Sequence, residues 1–285
     1  MDIVALALVV LGAIVHAFWN ILAKQGTGGP LFVWSYSAAS AVLYMPLAVW
    51  AVITSTGEWS WLGVLTVLTS GALHAGYSLA LQGGYGRADL SVVYPVARGT
   101  GPALSVIGAI LILSEPFTLS IAAGTVLVVV GIFVIGVIGR PRTGRIWPGI
   151  YWGTLTGIFI ASYTINDGAA VRLLGVSPII IDYFGNTVRV CMLTPVAGRQ
   201  RAELPDHWRK SARVILGVGL LIPIPYILAL YAMTLAPVSA IAPARELSMM
   251  VGVLFGRWLL DEPKVSARLA GAALIATGVA TLSLA

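Results

Sequence analysis

Residues 94–98 read Tyr-Pro-Val-Ala-Arg and residues 114–116 read Ser-Glu-Pro; residues 242–245 read Ala-Pro-Ala-Arg and residues 261–263 read Asp-Glu-Pro. At an offset of 147, Arg98 pairs with Arg245, Glu115 with Glu262, Pro116 with Pro263, Gly124 with Gly271 and Gly131 with Gly278. At an offset of 149, Met45-Pro46 aligns with Thr194-Pro195, and the stretch from Tyr77 to Leu81 with that from Tyr226 to Leu230. Small insertions and deletions account for the shift. Charged identities at one spacing, with Glu-Pro recurring at the same place, divide the chain into two homologous halves, 1–140 and 146–285.

The solvent of these halves follows from composition. Of 285 residues, 58% are hydrophobic and 10% charged, against about 25% charged in a soluble domain. The mean hydropathy is +0.93. A bilayer crossing takes about 20 mostly apolar residues. Ten runs qualify: 3–23, 31–54, 61–83, 90–113, 118–139, 147–167, 177–198, 212–234, 238–260 and 266–284. They are apolar throughout and rich in Leu and Ala, which excludes the alternating pattern of a membrane β-barrel. The first run lacks a basic leader and a small-residue cleavage site, so it reads as a span and not as a signal peptide. The longest polar stretch, 199–211, reads as a connection, and no extramembrane domain is expected.

Five helices per half is an odd number, so the halves cross the membrane with opposite polarity. The expected fold is an all-α membrane protein of ten transmembrane helices in two inverted five-helix repeats, forming one integrated domain. Inverted repeats suit alternating access, with substrate near the midplane between the repeats. The plainer reading is a duplication that only builds a stable bundle.

Loop charge sets the orientation. Twelve Lys and Arg (among them Lys24, Arg87, Arg140, Arg199, Lys210 and Arg268) fall in the connections between helices 1–2, 3–4, 5–6, 7–8 and 9–10; the opposite side carries Arg172 alone. Positive charge stays cytoplasmic, so both termini are expected outside a cell (inner) membrane. The pI near 9.7 therefore reports topology, not a nucleic-acid surface. A lone Cys191 and the scattered His16, His74 and His207 suggest neither a disulfide framework nor a metal cluster.

With these residues in place, the chain resembles the EamA-type permeases of the drug/metabolite transporter superfamily. The resemblance rests on the five-plus-five repeat, on His16-Ala-Phe-Trp-Asn20-Ile-Leu-Ala-Lys24 in the first helix, and on the Glu-Pro pairs at 115–116 and 262–263. It covers essentially the whole chain. It implies a membrane transporter, with a cavity lined by helices 1, 3, 4, 6, 8 and 9 and with helices 5 and 10 at the periphery. Members move amino acids, sugars, nucleotide-linked compounds and drugs, so the motifs leave the substrate open. The expected function is secondary-active export of a small metabolite, such as an amino acid or an amphipathic compound, by a monomer or homodimer with no cofactor. Proton coupling is open. A channel or lipid-translocating protein is the alternative. A membrane enzyme fits less well, because no catalytic constellation or nucleotide-binding motif is present.

Ionisable groups inside a bilayer are costly and face a cavity or a partner. Arg98 and Arg245 occupy matching places in helices 4 and 9, and read either as anion anchors or as structural clamps. Pro95 and Pro243 precede them and predict local irregularity. Glu246 has Gly99 as its counterpart. An acid present once in a repeat suggests a coupling site or an ammonium contact, or else a salt bridge to Arg245, Arg98 or another Arg. His16, Asn20 and Lys24 share one face of helix 1, with Trp19 close by, and His74 and Tyr77 share one face of helix 3. Tyr94, Tyr163, Asn166 and Tyr226 complete the expected substrate-binding set. Asp182, Asn186 and Arg189 share a face of helix 7 without an assigned role. Gly124, Gly131, Gly271 and Gly278 read as packing seams or a dimer face.

Overall fold

The structure is a computed structural model that describes residues 1–26, 29–55, 60–137, 146–260 and 265–284. The expected Glu262-Pro263 feature lies outside the described residues. Every element is helical: α1 (Ile3–Ala23), α2 (Gly29–Thr54), α3 (Trp61–Arg87), α4 (Leu90–Ile112), α5 (Leu119–Val137), α6 (Ile146–Leu173), α7 (Pro178–Arg199), α8 (Leu204–Leu221), α9 (Pro223–Leu235), α10 (Val238–Ala244), α11 (Leu247–Leu260) and α12 (Val265–Ser283). These twelve segments follow ten paths, because α8 runs into α9 and α10 into α11. Seven described stretches are long and apolar enough to cross a membrane, Leu204–Leu235 and Val238–Phe255 among them. α6 and α7 are not among the seven; they carry Asn166 and Asp167, and Asp182, Asn186 and Arg189, in their interiors.

Two local expectations change, the start of the eighth path and the effect of Pro95, while the irregularity expected at Pro243 is present. The eighth path begins at Leu204, inside the stretch expected to be a connection, because Pro205 suits a first helical turn. It bends at Ile222, just before Pro223 and Pro225. The ninth path breaks at Arg245–Glu246, two residues past Pro243. There the bonds tighten to an i to i+3 pattern, Glu246 N to Pro243 O at 3.1 Å and Met249 N to Glu246 O at 2.9 Å. The matching Pro95 causes no break, since α4 continues through it. Its ring seats against Gly136 of α5, where an added Cβ would come within 2.0 Å of the ring.

α4 and α3 pack on α6, and α11 and α9 pack on α1; α3 packs on α7, and α8 on α2; α2 meets α7, and α5 meets α12. The α5–α12 seam is made by glycines in crosswise pairs. A Cβ on Gly124 would lie 2.8 Å from Gly278 O, and one on Gly131 would lie 2.7 Å from Gly271 O. The glycines expected as packing seams or a dimer face thus close a seam within the chain. The N-terminal ammonium donates to Ser283 O at 2.8 Å, so both ends sit on one side of the bundle.

The half of the bundle nearest the termini is filled. Ala5, Val171, Ile179, Ile180, Ile181, Val238 and Ile241 are all buried there. Glu115, on the α4–α5 link, ties this half together. Its carboxylate accepts from Val238 N at 2.7 Å, from Ser239 N at 2.9 Å and Ser239 Oγ at 2.6 Å, and from Arg172 at the end of α6.

Candidate substrate cavity

The other half holds a cavity of about 270 Å³. Its lining runs along α1 from Val9 to Asn20, along α2 from Val33 to Ser40, along α3 from His74 to Tyr85 and along α4 from Tyr94 to Arg98. In each case this stretch lies toward the α1–α2 and α3–α4 connections, away from the chain termini. On α1, Val9, Gly12, His16, Trp19 and Asn20 recur every three or four residues, one helical stripe.

Arg98 joins three elements. One guanidinium nitrogen donates to Glu246 Oε1 at 3.1 Å, another meets His16 Nε2 at 3.1 Å, and Nε donates to Tyr94 Oη at 3.3 Å. A guanidinium only donates, so His16 accepts at Nε2. The edge of Trp19 meets the His16 ring at 5.0 Å, and Asn20 donates to His16 O at 2.8 Å. Deeper in, the aromatic side chains form a box. His74 stacks on Tyr163 at 4.0 Å and meets Tyr226 edge-on at 5.2 Å, while Tyr77 meets Tyr163 at 6.0 Å. The Arg245 guanidinium sits over the Tyr226 ring at 5.0 Å. Arg189 donates to Asn186 Oδ1 at 2.6 Å. Among the described residues, the ion pairs are Arg98–Glu246 and Arg172–Glu115, so Arg189, Arg245 and Asp182 meet the cavity without an ionic partner.

Residues 147–284 match the EamA-like transporter family. The match implies a membrane transporter. A protein crystal structure superposes with a TM-score of 0.76 at 14% identity, covering 98% of this chain and 96% of the other, which shows a shared fold. No curated protein matches the sequence.

His16, Trp19, Asn20, His74, Tyr77, Tyr94, Arg98, Tyr163, Tyr226 and Arg245 line the cavity. Glu246 and Asn166 are not among its lining residues. Glu246 stands behind Arg98 as its counter-ion, and Asn166 turns away to donate to Thr66 O at 2.9 Å and to Asp167 Oδ1 at 2.8 Å. α2 and α7 also line the cavity, through Tyr36, Asp182, Asn186 and Arg189. This corrects the lining expected from helices 1, 3, 4, 6, 8 and 9 alone. α7 reaches the cavity because it packs on both α2 and α3. The sequence does not single out Asp167, because the sixth apolar run ends there. α6 continues to Leu173, which moves Asp167 from a helix end into the interior.

Proposed function

We propose that this transporter is secondary-active and exports a small polar or amphipathic metabolite, such as an amino acid, by alternating access between two inverted halves. The observation that carries this reading is the cavity itself. It is lined by aromatic rings and by guanidiniums, and it ends against the packed half beside the termini. A channel needs a polar path through both halves. Here buried Val238, Ile241 and Ile181 stand across it.

The helix packing supports the repeat. Exchanging each helical path with its counterpart five paths later turns α4–α6 into α11–α1, α3–α6 into α9–α1, and α3–α7 into α8–α2, all of which are packed pairs. It also turns Gly124–Gly278 into Gly271–Gly131. Loop charge supports a cytoplasmic location for the side toward which the cavity reaches, with both termini outside an inner membrane. This is then the inward-facing conformation of a monomer or homodimer.

Arg245 and Arg98 are the anion anchors of this reading. A charge-assisted hydrogen bond is worth about 1.5–3 kcal/mol. Arg245→Ala in proteoliposomes is therefore expected to weaken uptake of a carboxylate-bearing substrate by roughly 10- to 100-fold in KM. Uptake unchanged in both Arg245→Ala and Arg98→Ala overturns the anchor assignment.

A further inference from the structure

Asp167 is fully buried, at 0% exposure, yet no Lys or Arg nitrogen among the described residues lies within ion-pair distance of it. Its carboxylate instead accepts from three neutral donors, Ser70 Oγ at 2.9 Å, Tyr226 Oη at 2.5 Å and Asn166 Nδ2 at 2.8 Å. A carboxylate buried in a membrane protein without a cation is costly. Beside this network lies a second, small pocket of about 20 Å³, bordered by Ser70, His74, Asp182, Asn186, Arg189 and Tyr226. That is room for about one water molecule among polar partners. Asp182, Arg189, His74 and Tyr226 also line the main cavity, so the small pocket lies between the cavity and the two hydroxyls that hold the acid, while Asp167 itself is not among its lining residues.

Resting on the transporter reading above, we infer that Asp167 is the site at which this transporter binds a coupling proton, reached from the cavity through the Ser70–Tyr226 pocket. The donor set favours a proton over a metal cation. Ser70, Tyr226 and Asn166 turn hydrogens toward the carboxylate, whereas sodium would need oxygen lone pairs. Hydroxyls both donate and accept. A proton from the bulk is relayed by a pocket water to the Tyr226 or Ser70 hydroxyl, which passes its own hydrogen to Oδ2 and keeps the incoming one. The new O–H donates to Tyr226 or Ser70, which turns its own hydrogen away, and the same heavy-atom geometry serves both forms.

The position suits alternation. On the terminal side of Asp167, the next residue Gly168 packs against Val238 so closely that an added Cβ would lie 2.6 Å from a Val238 methyl. In this conformation the acid therefore exchanges with the cavity side. Parting of α6 from α10 would turn it to the other side. Tyr226 links the proton to the substrate, since its hydroxyl holds Asp167 while its ring carries Arg245. The ionisable groups around Asp167 are Tyr163 on α6, His74 on α3, Asp182 and Arg189 on α7, Tyr226 on α9 and Arg245 after α10. α10 itself carries none. Arg98 on α4 is engaged with Glu246.

The test uses the full chain in lipid, with protons as the probe. Infrared difference spectra between acid and alkaline pH are expected to show a protonated-carboxyl band that is lost in Asp167→Asn and kept in Glu246→Gln and Asp182→Asn. Tyr226→Phe keeps the ring and is expected to shift that band by removing one hydrogen bond. In proteoliposomes given a mixture of radiolabelled amino acids, the response of uptake to an imposed pH gradient is expected to vanish in Asp167→Asn. A band that survives Asp167→Asn, or that disappears in Glu246→Gln instead, overturns the assignment. Absence of wild-type uptake with the band intact counts against the substrate reading and leaves the proton site standing.

Discussion

At the scale of single residues, the cavity pairs one arginine and leaves others free. Arg98 and Glu246 are 18% and 5% exposed at their side chains and 3.1 Å apart. Their partnership is structural as well as functional. Removing one member of a buried pair leaves an uncompensated charge, at a cost of about 3–5 kcal/mol, whereas replacing both with apolar residues is often near neutral. Arg98→Met alone is therefore expected to lower thermal stability in detergent clearly, with Arg98→Met/Glu246→Met recovering most of the loss. A single and a double variant equally unstable would mean that the pair does not compensate itself. Arg245 sits over the Tyr226 ring and has no ion pair among the described residues. Its loss is expected to affect transport more than the fold.

At the scale of elements, two features decide how the helices meet. The break at Arg245–Glu246 separates α10 from α11 and sends neighbouring side chains to different tasks, Arg245 over Tyr226 and Glu246 to Arg98. The glycine seam brings α5 and α12 to backbone contact. At Gly131 an added side chain meets Gly271 O and the Ile275 backbone at 2.7 and 3.1 Å, and backbone has little room to yield. Gly131→Val is expected to destabilise by about 1–3 kcal/mol or more, read as a lower melting temperature. Among the described residues, Gly252 has nothing within 4 Å of its would-be Cβ. Gly252→Ala is expected to be neutral or to stabilise by up to about 1 kcal/mol through helix propensity. Equal losses at both positions would show that the seam is not the cause.

At the scale of the whole molecule, the terminal half is held shut where elements of both halves of the chain meet at one carboxylate. Glu115 comes from the first half, and Arg172, Val238 and Ser239 from the second. Opening that side must part them. On the alternating-access proposal, Glu115→Gln weakens the ion pair and is expected to populate more the conformation open on the terminal side. Ile180, buried at 2% exposure in the packed half, is a reporter. In a Cys191→Ser background, Ile180→Cys is expected to react slowly with a membrane-impermeant maleimide added outside cells, and faster when Glu115→Gln is added. Labelling that Glu115→Gln does not speed up would separate the tie from the opening step. Labelling only from the cytoplasmic side would reverse the expected topology.

Helix positions were legible in the sequence because the cost of burying unpaired backbone in lipid leaves little choice of structure. The apolar runs alone mark where α1 to α5 start and stop, to within a few residues. The stripe of His16, Trp19 and Asn20, and the recurrence of Arg98 as Arg245, likewise needed only helical periodicity and the internal repeat. Sequence could not say which acid pairs with which arginine, because Arg98 and Glu246 are 148 residues apart in the chain and meet only through packing. Nor could it say that Pro243 breaks its helix while Pro95 does not. Both prolines lie inside apolar runs, and only the structure shows Pro95 seated against Gly136 in an unbroken helix. Asp167 was hidden for a related reason: an acid at the end of an apolar run reads as interfacial, and only the extra turns of α6, with Ser70 and Tyr226 brought in from α3 and α9, make it an interior carboxylate.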